Sequence, residues 1–278
     1  MDTASAADPL ASLLQPMPTV AAVVLGAFTV VWLISVWRHN AGIVDIVWGP
    51  AFALAAWAYA LAAGVSLGDD LRATVALALV TVWALRLAGH IAWRSRGHGE
   101  DYRYQTFRKR SPETFWWRSL FTVFWLQAAL ALLIAAPFYV ILGTRPAVAW
   151  AWTDTLAVAL WLIGFTFEAV GDWQLLRFKA DPANKGKVLD SGLWSLTRHP
   201  NYFGDATLWW GYFCFALALP LGPWTLLAPL LMTLLLMKVS GVALLEKTIH
   251  KRRPAYQAYI ESTPAFFPWP SFLRKGSP

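Results

Sequence analysis

Residues 18–37 read PTVAAVVLGAFTVVWLISVW, a continuous stretch without a charged side chain. A helix rises about 1.5 Å per residue, so about 20 such residues cross the hydrocarbon core of a bilayer. The stretch therefore predicts a membrane-spanning helix. Residues 1–17 lack the basic region of a signal peptide, and the stretch is too long for the apolar region of one. We therefore expect this span to be retained.

Six further apolar stretches follow, at 43–64, 70–93, 117–142, 149–173, 204–220 and 222–245. They predict an all-α fold of seven transmembrane helices in a single domain, residues 1–278, with a C-terminal tail at 246–278. The sixth stretch is the shortest, and only the turn Pro220-Leu-Gly-Pro223 separates it from the seventh. An arrangement with six spans and one re-entrant segment therefore stays open.

The composition supports this class of protein. Hydrophobic residues make up 58% of the chain and charged residues 14%, against about 45–50% and about 25% in soluble proteins. This balance excludes a soluble globule and a disordered chain. The single cysteine, Cys214, excludes a disulfide framework and a cysteine metal cluster. The histidines form no zinc motif, so we predict no metal site.

The basic residues predict the orientation. Most of the 23 Lys and Arg residues fall in one set of connections and in the tail, whereas the opposite connections carry only Arg72 and Arg145. The positive-inside rule places the N-terminus outside and the C-terminus in the cytosol. The basic runs 108–110 and 251–253 are expected to face lipid headgroups, and no nucleic-acid partner is expected.

A set of ionisable residues falls in the cytosolic halves of the predicted spans or next to their cytosolic ends. They are Asp45, Arg86, His90, Arg94, Glu168, Asp172, Asp205, Lys238 and Glu246. Because such groups are costly in hydrocarbon, they predict a polar pocket open to the cytosol. Glu168 and Asp172 share one helical face and repel each other unless a cation or a ligand lies opposite. Snorkelling of Arg94 and Lys238, and a helix cap at Asp45, remain simpler alternatives.

The segment from Arg198 to Asp205, Arg-His-Pro-Asn-Tyr-Phe-Gly-Asp, is the most specific motif. Arg198 offers a fork of donors for phosphate or carboxylate. His199 and Asn201 offer directional hydrogen bonds, and Tyr202 a stacking surface. This pattern at the start of a helix predicts a ligand-binding loop. The alternative is a juxtamembrane interfacial loop.

From Asp45 to Trp269 the chain resembles the DUF1295 family of bacterial membrane proteins, within the steroid 5-alpha-reductase superfamily. The segments that carry the resemblance are Asp45-Ile-Val-Trp-Gly49, Arg86-Leu-Ala-Gly-His90, Gly99-Glu-Asp-Tyr-Arg-Tyr104, Gly171-Asp-Trp-Gln174, Phe178-Lys179, the motif above, Glu246-Lys247, Tyr256, Tyr259 and Phe267-Pro268. The resemblance implies a seven-helix fold in a bacterial inner membrane. It also implies an NADPH site facing the cytosol and reduction of a carbon–carbon double bond in a lipid or steroid-like substrate.

The superfamily also implies roles for individual residues. Asp172 and Lys179 match an acid–base pair at the end of the fifth helix, and residues 201–205 match a cofactor-binding Asn-Tyr-Phe-Gly-Glu run. Together with the intramembrane charges and the Arg198–Asp205 motif, this gives as candidate cofactor-binding residues Arg94, Arg96, Glu168, Asp172, Lys179, Arg198, His199, Asn201, Tyr202, Asp205, Glu246 and Tyr256. Asp45 and His90 are the expected proton donors. The Gln-Glu pair and the tyrosine that hold a steroid ketone are replaced by Val47-Trp48 and Ala84, which argues against an enone steroid.

Two other functions remain open. Membrane methyltransferases of isoprenylcysteine and phospholipids are similar in their Arg-His-Pro-x-Tyr-x-Gly run, and they bind S-adenosylmethionine. Their later Glu-Glu pair is Glu246-Lys247 in this chain, which favours the reductase. The third function is lipid binding or transport without catalysis. A passage would carry charges in both halves of the bilayer, so their position in one half favours a closed cavity. The sequence predicts no oligomeric state.

Overall fold

The computed structural model describes residues 8–239, 242, 246 and 256–269. Within these residues every regular element is helical and no strand occurs, so the all-α prediction is confirmed. The described residues divide into two compact units. The first runs to Trp150 and includes Leu219–Thr225, and the second contains Ala151–Ala218 and the described residues from Leu226 onward.

The part of the first unit that the structure describes forms eight α-helices. They are α1 (Pro9–Leu14), α2 (Met17–Arg38), α3 (Val44–Ala62), α4 (Leu71–Ser95), α5 (Tyr102–Arg110), α6 (Phe115–Ser119), α7 (Leu126–Ile134) and α8 (Ala136–Gly143). A π-helical stretch, Leu120–Trp125, joins α6 to α7. The side chain of Asp70 begins α4 by accepting from the backbone N–H of Ala73 at 3.0 Å, which satisfies a free donor of the first turn.

The described residues of the second unit form four α-helices. They are α9 (Trp152–Ala180), α10 (Pro200–Leu217), α11 (Leu227–Leu234) and α12 (Tyr256–Ser262). A π-helical stretch, Leu235–Val239, continues α11. Short 3₁₀ turns at Pro182–Asn184 and Gly192–Ser195 interrupt the connection between α9 and α10.

Six segments of the described chain are long and apolar enough to cross a membrane, which supports a multi-pass membrane protein. They are Pro9–Arg38, Ala41–Ala62, Leu71–Ser95, Phe115–Ile134, Trp152–Ala180 and Gly222–Val239. The stretch predicted at 204–220 forms α10 but is absent from this set, because the first two turns of α10 carry the polar residues Asn201 and Asp205. Part of the predicted stretch 222–245 lies outside the described residues.

Two predicted stretches end differently in the structure. The stretch 117–142 is divided after Ile134, because Pro137 in the first turn of α8 lacks a backbone donor and cannot continue the preceding helix. The stretch 149–173 continues to Ala180, which gives a helix of 29 residues. At about 1.5 Å per residue this exceeds the hydrocarbon thickness, so Arg177 and Lys179 extend beyond the apolar region.

Helices α9 and α10 pack against each other backbone to backbone in opposite directions. A Cβ atom placed on Gly164 would lie 2.5 Å from the carbonyl oxygen of Gly204, and one on Gly171 would lie 3.3 Å from the backbone nitrogen of Asn201. Close approach of this kind requires glycine and is a common way of joining helices in membranes. The packing brings the acidic face of α9 against the first turns of α10.

Candidate functional site

The interface between α9 and α10 buries three carboxylates and one amide. Glu168, Asp172 and Asp205 are all buried. The Nδ2 of Asn201 donates to Oδ1 of Asp172 at 3.0 Å. The four side chains come from facing turns, so the structure brings together four of the residues that the sequence singled out. We call them the acceptor cluster.

The acceptor cluster is rich in groups that accept hydrogen bonds. Oδ1 of Asn201 is buried and has no hydrogen-bond partner among the described residues. A buried polar atom without a partner is rare in proteins and often marks a position that a ligand satisfies. Hydroxyl, amide or ammonium donors suit such a cluster, whereas phosphate groups do not.

Arg198 lies just before α10, and its guanidinium points into the protein. Its Nε and one terminal nitrogen donate to the two oxygens of Glu246 at 2.8 and 2.9 Å. The other terminal nitrogen donates to the carbonyl oxygens of Ile260, at 3.0 Å, and Thr263. The hydroxyl of Tyr256 accepts a further hydrogen bond. The donors that the sequence assigned to a ligand are thus used within the protein.

Glu246 is shared by Arg198 and His199. Nε2 of His199 lies 3.0 Å from the same oxygen that accepts from Nε of Arg198. Burial opposes ionisation of Glu246, but the hydrogen bonds from His199 and Arg198 outweigh it and lower the pKa to about 2. The His199 ring stacks on Tyr202 with 5.5 Å between ring centroids. Glu246 therefore holds both residues in place at the start of α10.

A second set of bonds fixes the C-terminal segment, residues 256–269, to the loop before α10. The backbone N–H of Arg198 donates to Pro264, and the hydroxyl of Thr197 donates to Phe266, both at 2.9 Å. The backbone N–H of Trp269 donates to Leu196 at 2.9 Å. Local sequence gave no sign of Thr197 in this role, because its partner lies almost 70 residues away.

Tyr256 lies beside the same group of charges. Burial raises the pKa of Tyr256 to about 12, and the charge of Glu246 contributes to this shift. Its side chain is buried. The phenol therefore stays neutral at physiological pH and acts here as a hydrogen-bond partner of Arg198. The structure thus brings Arg198, Glu246 and Tyr256 together in one charged network.

Lys179 lies near the end of α9 and is exposed. It lies seven residues after Asp172, which places it about two helical turns further along the same helix. A cavity of about 250 Å³ beside it is lined by Phe178, Asp181 and Lys185 among others. Lys179 is therefore accessible at the end of the helix that carries the acceptor cluster.

In the first unit, Asp45 is engaged at the start of α3. Its carboxylate lies 2.5 Å from a terminal nitrogen of Arg103 and accepts from the hydroxyl of Tyr104 at 2.8 Å. Burial raises the pKa of Tyr104, and so does the charge of Asp45. Burial opposes ionisation of Arg103, but the carboxylates of Asp45 and Asp101 with Tyr104 together outweigh it and raise the pKa. Asp45, predicted as a proton donor, ties α5 to α3 in this structure.

The other predicted residues of the first unit lie along α4 and just after it. His90 is half-buried, while Arg94 and Arg96 are exposed. The guanidinium of Arg96 lies 5.0 Å from the ring centroid of Trp93. Among the described residues no group of three or more His, Cys, Asp or Glu side chains could hold a metal ion.

Comparison with known proteins gives a family and one relative, both without an assigned function. A protein from Schizosaccharomyces pombe described as "Uncharacterized protein C594.04c" is 28% identical over 271 residues, which covers 86% of this chain and 76% of that protein. No solved structure matches the chain. The family model described as "Protein of unknown function (DUF1295)" matches residues 31–263. The chain therefore belongs to the DUF1295 family.

Proposed function

We propose that this protein is an NADPH-dependent membrane reductase of a carbon–carbon double bond in a hydrophobic, lipid-like substrate. The observation that carries the proposal is the acceptor cluster, with the hydrogen bond between Asn201 and Asp172 at its centre. The free oxygen of Asn201 suits a carboxamide or hydroxyl donor, and NADPH offers both. Resemblance to the steroid 5-alpha-reductase superfamily supports the same choice.

Different residues would bind different parts of the cofactor. Asp172, Asn201 and Asp205 would accept from the ribose hydroxyls and the nicotinamide carboxamide. Lys179 would pair with phosphate at the exposed end of α9. NADPH supplies a hydride when bound.

The proton for the neighbouring carbon would come from an acid of the protein or from water. Asp45 is a weak candidate for this acid because Arg103 and Tyr104 already occupy its two oxygens. Arg198, His199, Glu246 and Tyr256 would act by holding the start of α10 rather than by touching the cofactor.

The proposal includes the topology. With α10 as a further crossing, the chain has seven spans, an external N-terminus and a cytosolic C-terminus. The ends of the spans that carry most basic residues then face the cytosol, where NADPH is available. A bacterial inner membrane is the proposed location, and membrane lipids are the proposed neighbours.

A thermal-shift titration of the detergent-purified protein with NADPH, NADH and S-adenosylmethionine tests the cofactor. A ligand that binds only the folded state stabilises it by about 2.7 kcal/mol at a hundred times its dissociation constant. We expect a rise in the midpoint with NADPH. Asp172→Asn should abolish that rise, and the exposed control Asp190→Asn should keep it. Retained binding by Asp172→Asn would contradict the assigned site.

One observation favours a second function, methyl transfer from S-adenosylmethionine to a lipid or lipidated group. Glu168, Asp172 and Asp205 bring three buried carboxylates to one interface, and S-adenosylmethionine carries a sulfonium and an ammonium that such acids attract. The same titration separates the two functions. A rise in the midpoint with S-adenosylmethionine alone would replace the reductase by a methyltransferase.

A further inference from the structure

Helix α5 is held at the level where three candidate spans end. It lies between the spans Leu71–Ser95 and Phe115–Ile134. The short connections 96–101 and 111–114 limit its distance from both, because an extended chain covers at most about 3.6 Å per residue. Glu100, just before α5, accepts from the backbone N–H of Ala41 at 2.8 Å, where a third span begins. Helix α5 therefore lies at the border of the apolar region.

Two of the four cations on α5 are neutralised within the protein. Arg103 donates to Asp45 at 2.5 Å and to Asp101 at 2.9 Å. Arg108 donates to both oxygens of Glu100, at 2.8 and 3.1 Å. These bonds fix one side of the helix against the protein. They also correct the prediction that all of 108–110 faces headgroups, because Arg108 pairs with Glu100 instead.

The other two cations of α5 face outward. Lys109 and Arg110 are exposed, and neither has an acidic partner among the described residues. Arg118, just beyond α5, is likewise exposed without such a partner, and Arg96 lies against the Trp93 ring instead of an acid. Four exposed cations thus lie on α5 or flank it in the sequence, at the border of the apolar region.

Exposed aromatic rings lie among these cations. They are Trp93, Tyr102, Phe107, Trp116 and Trp117. Tryptophan and tyrosine are enriched at the level of lipid headgroups, where an apolar ring and a polar edge are both satisfied. A nucleic acid would match the positive charge, but it offers no hydrocarbon for the apolar faces of rings that lie at the border of the apolar region. The combination of rings and cations therefore fits a lipid surface.

We propose that Arg96, Lys109, Arg110 and Arg118 bind the phosphate headgroups of anionic phospholipids, while these five aromatic side chains contact the same lipids at the headgroup level. We call this surface the basic aromatic face. This face lies within the first unit, and lipid binding there does not depend on the proposed reductase activity. Juxtamembrane cations attract anionic lipid at short range, so the face should prefer phosphatidylglycerol to phosphatidylcholine.

Quenching of tryptophan fluorescence by brominated lipid tests the preference. The full chain is reconstituted in vesicles of brominated phosphatidylcholine, and unlabelled phosphatidylglycerol or phosphatidylcholine is titrated in as competitor. We expect phosphatidylglycerol to relieve quenching at the lower concentration, and high salt to remove the difference. Equal competition by the two lipids at low salt would overturn the proposal.

Two double variants place the preference on α5. Lys109→Gln with Arg110→Gln should weaken the preference by about fivefold for each charge removed. The matched control, Lys109→Arg with Arg110→Lys, keeps both charges and should keep the preference. Both variants should elute as the wild type does on size exclusion. An unchanged preference in the glutamine variant would refute the proposal, as would tighter binding of an oligonucleotide than of phosphatidylglycerol.

Discussion

Replacement of Gly204 by alanine tests whether close packing of α9 and α10 builds the acceptor cluster. The new Cβ would lie 2.4 Å from the carbonyl oxygen of Gly164 and 2.5 Å from the backbone nitrogen of Glu168. Both neighbours are backbone atoms, so neither can rotate away. Non-bonded heavy atoms pack best at about 3.5 Å or more. The two helices must therefore separate by about 1 Å.

The expected magnitude follows from this separation. Overpacking of a tightly packed interface costs about 1–3 kcal/mol, while alanine gains about 0.5–1 kcal/mol over glycine within a helix. We expect a net loss of about 1–2 kcal/mol. The same movement would stretch the bond between Asn201 and Asp172 from 3.0 Å beyond hydrogen-bonding distance. Gly204→Ala should therefore lose both stability and the response to NADPH.

The assay is the thermal midpoint of the purified protein with and without NADPH. Gly89→Ala is the matched control, because Gly89 lies within α4 and a Cβ there meets nothing within 4 Å. This control should be as stable as the wild type or slightly more so. Equal midpoints for Gly204→Ala and Gly89→Ala would refute the packing argument. An NADPH response that survives destabilisation would instead refute the link between packing and ligand binding.

Three further predictions concern the charged networks. Because the pKa of Glu246 is lowered to about 2 in the folded protein, its ionised carboxylate stabilises the fold above about pH 4.5. This stability, at most about 3 kcal/mol, is lost as the pH falls towards 2. Glu246→Gln should flatten this part of a curve of stability against pH. Arg198→Lys loses the paired bonds to Glu246 and should expose the C-terminal segment to limited proteolysis, at a cost of about 1–3 kcal/mol. Tyr104→Phe leaves one oxygen of Asp45 without its donor and should lower the thermal midpoint by an amount equivalent to about 1 kcal/mol.

The sequence predicted most of the helices and the common helix of Glu168 and Asp172, because both depend on short-range patterns. Apolar stretches define the spans, and the spacing of Glu168 and Asp172 places them on one face of a helix. Their partner could not be identified in the same way. Asn201 meets Asp172 only because Gly164 and Gly204 let two helices approach closely, and such pairing depends on tertiary packing.

The place of Arg198 shows the same limit more sharply. An arginine before a helix with a polar first turn predicts an anion site from local chemistry alone. The structure directs this guanidinium to Glu246 and to the carbonyl oxygens of Ile260 and Thr263, which lie 48 to 65 residues further along the chain. No local pattern shows that distant carbonyl groups will take up its donors.

The roles of Arg198 and His199 also explain why one motif is similar to motifs in two families that bind different ligands. Both residues contact Glu246, and Arg198 also contacts the C-terminal segment. The Arg-His-Pro part of the motif therefore positions the start of α10 whatever ligand is bound. Under the proposed function, ligand choice would then lie with Asn201 and Asp205, in the first and second turns of α10, and with Asp172 opposite. We infer that the motif alone cannot separate a reductase from a methyltransferase, whereas substitution at these three positions can. Changes at Asn201, Asp205 or Asp172 should alter which ligand raises the thermal midpoint. Changes at Arg198 should instead lower the midpoint by the same amount in the free protein and in the presence of each ligand.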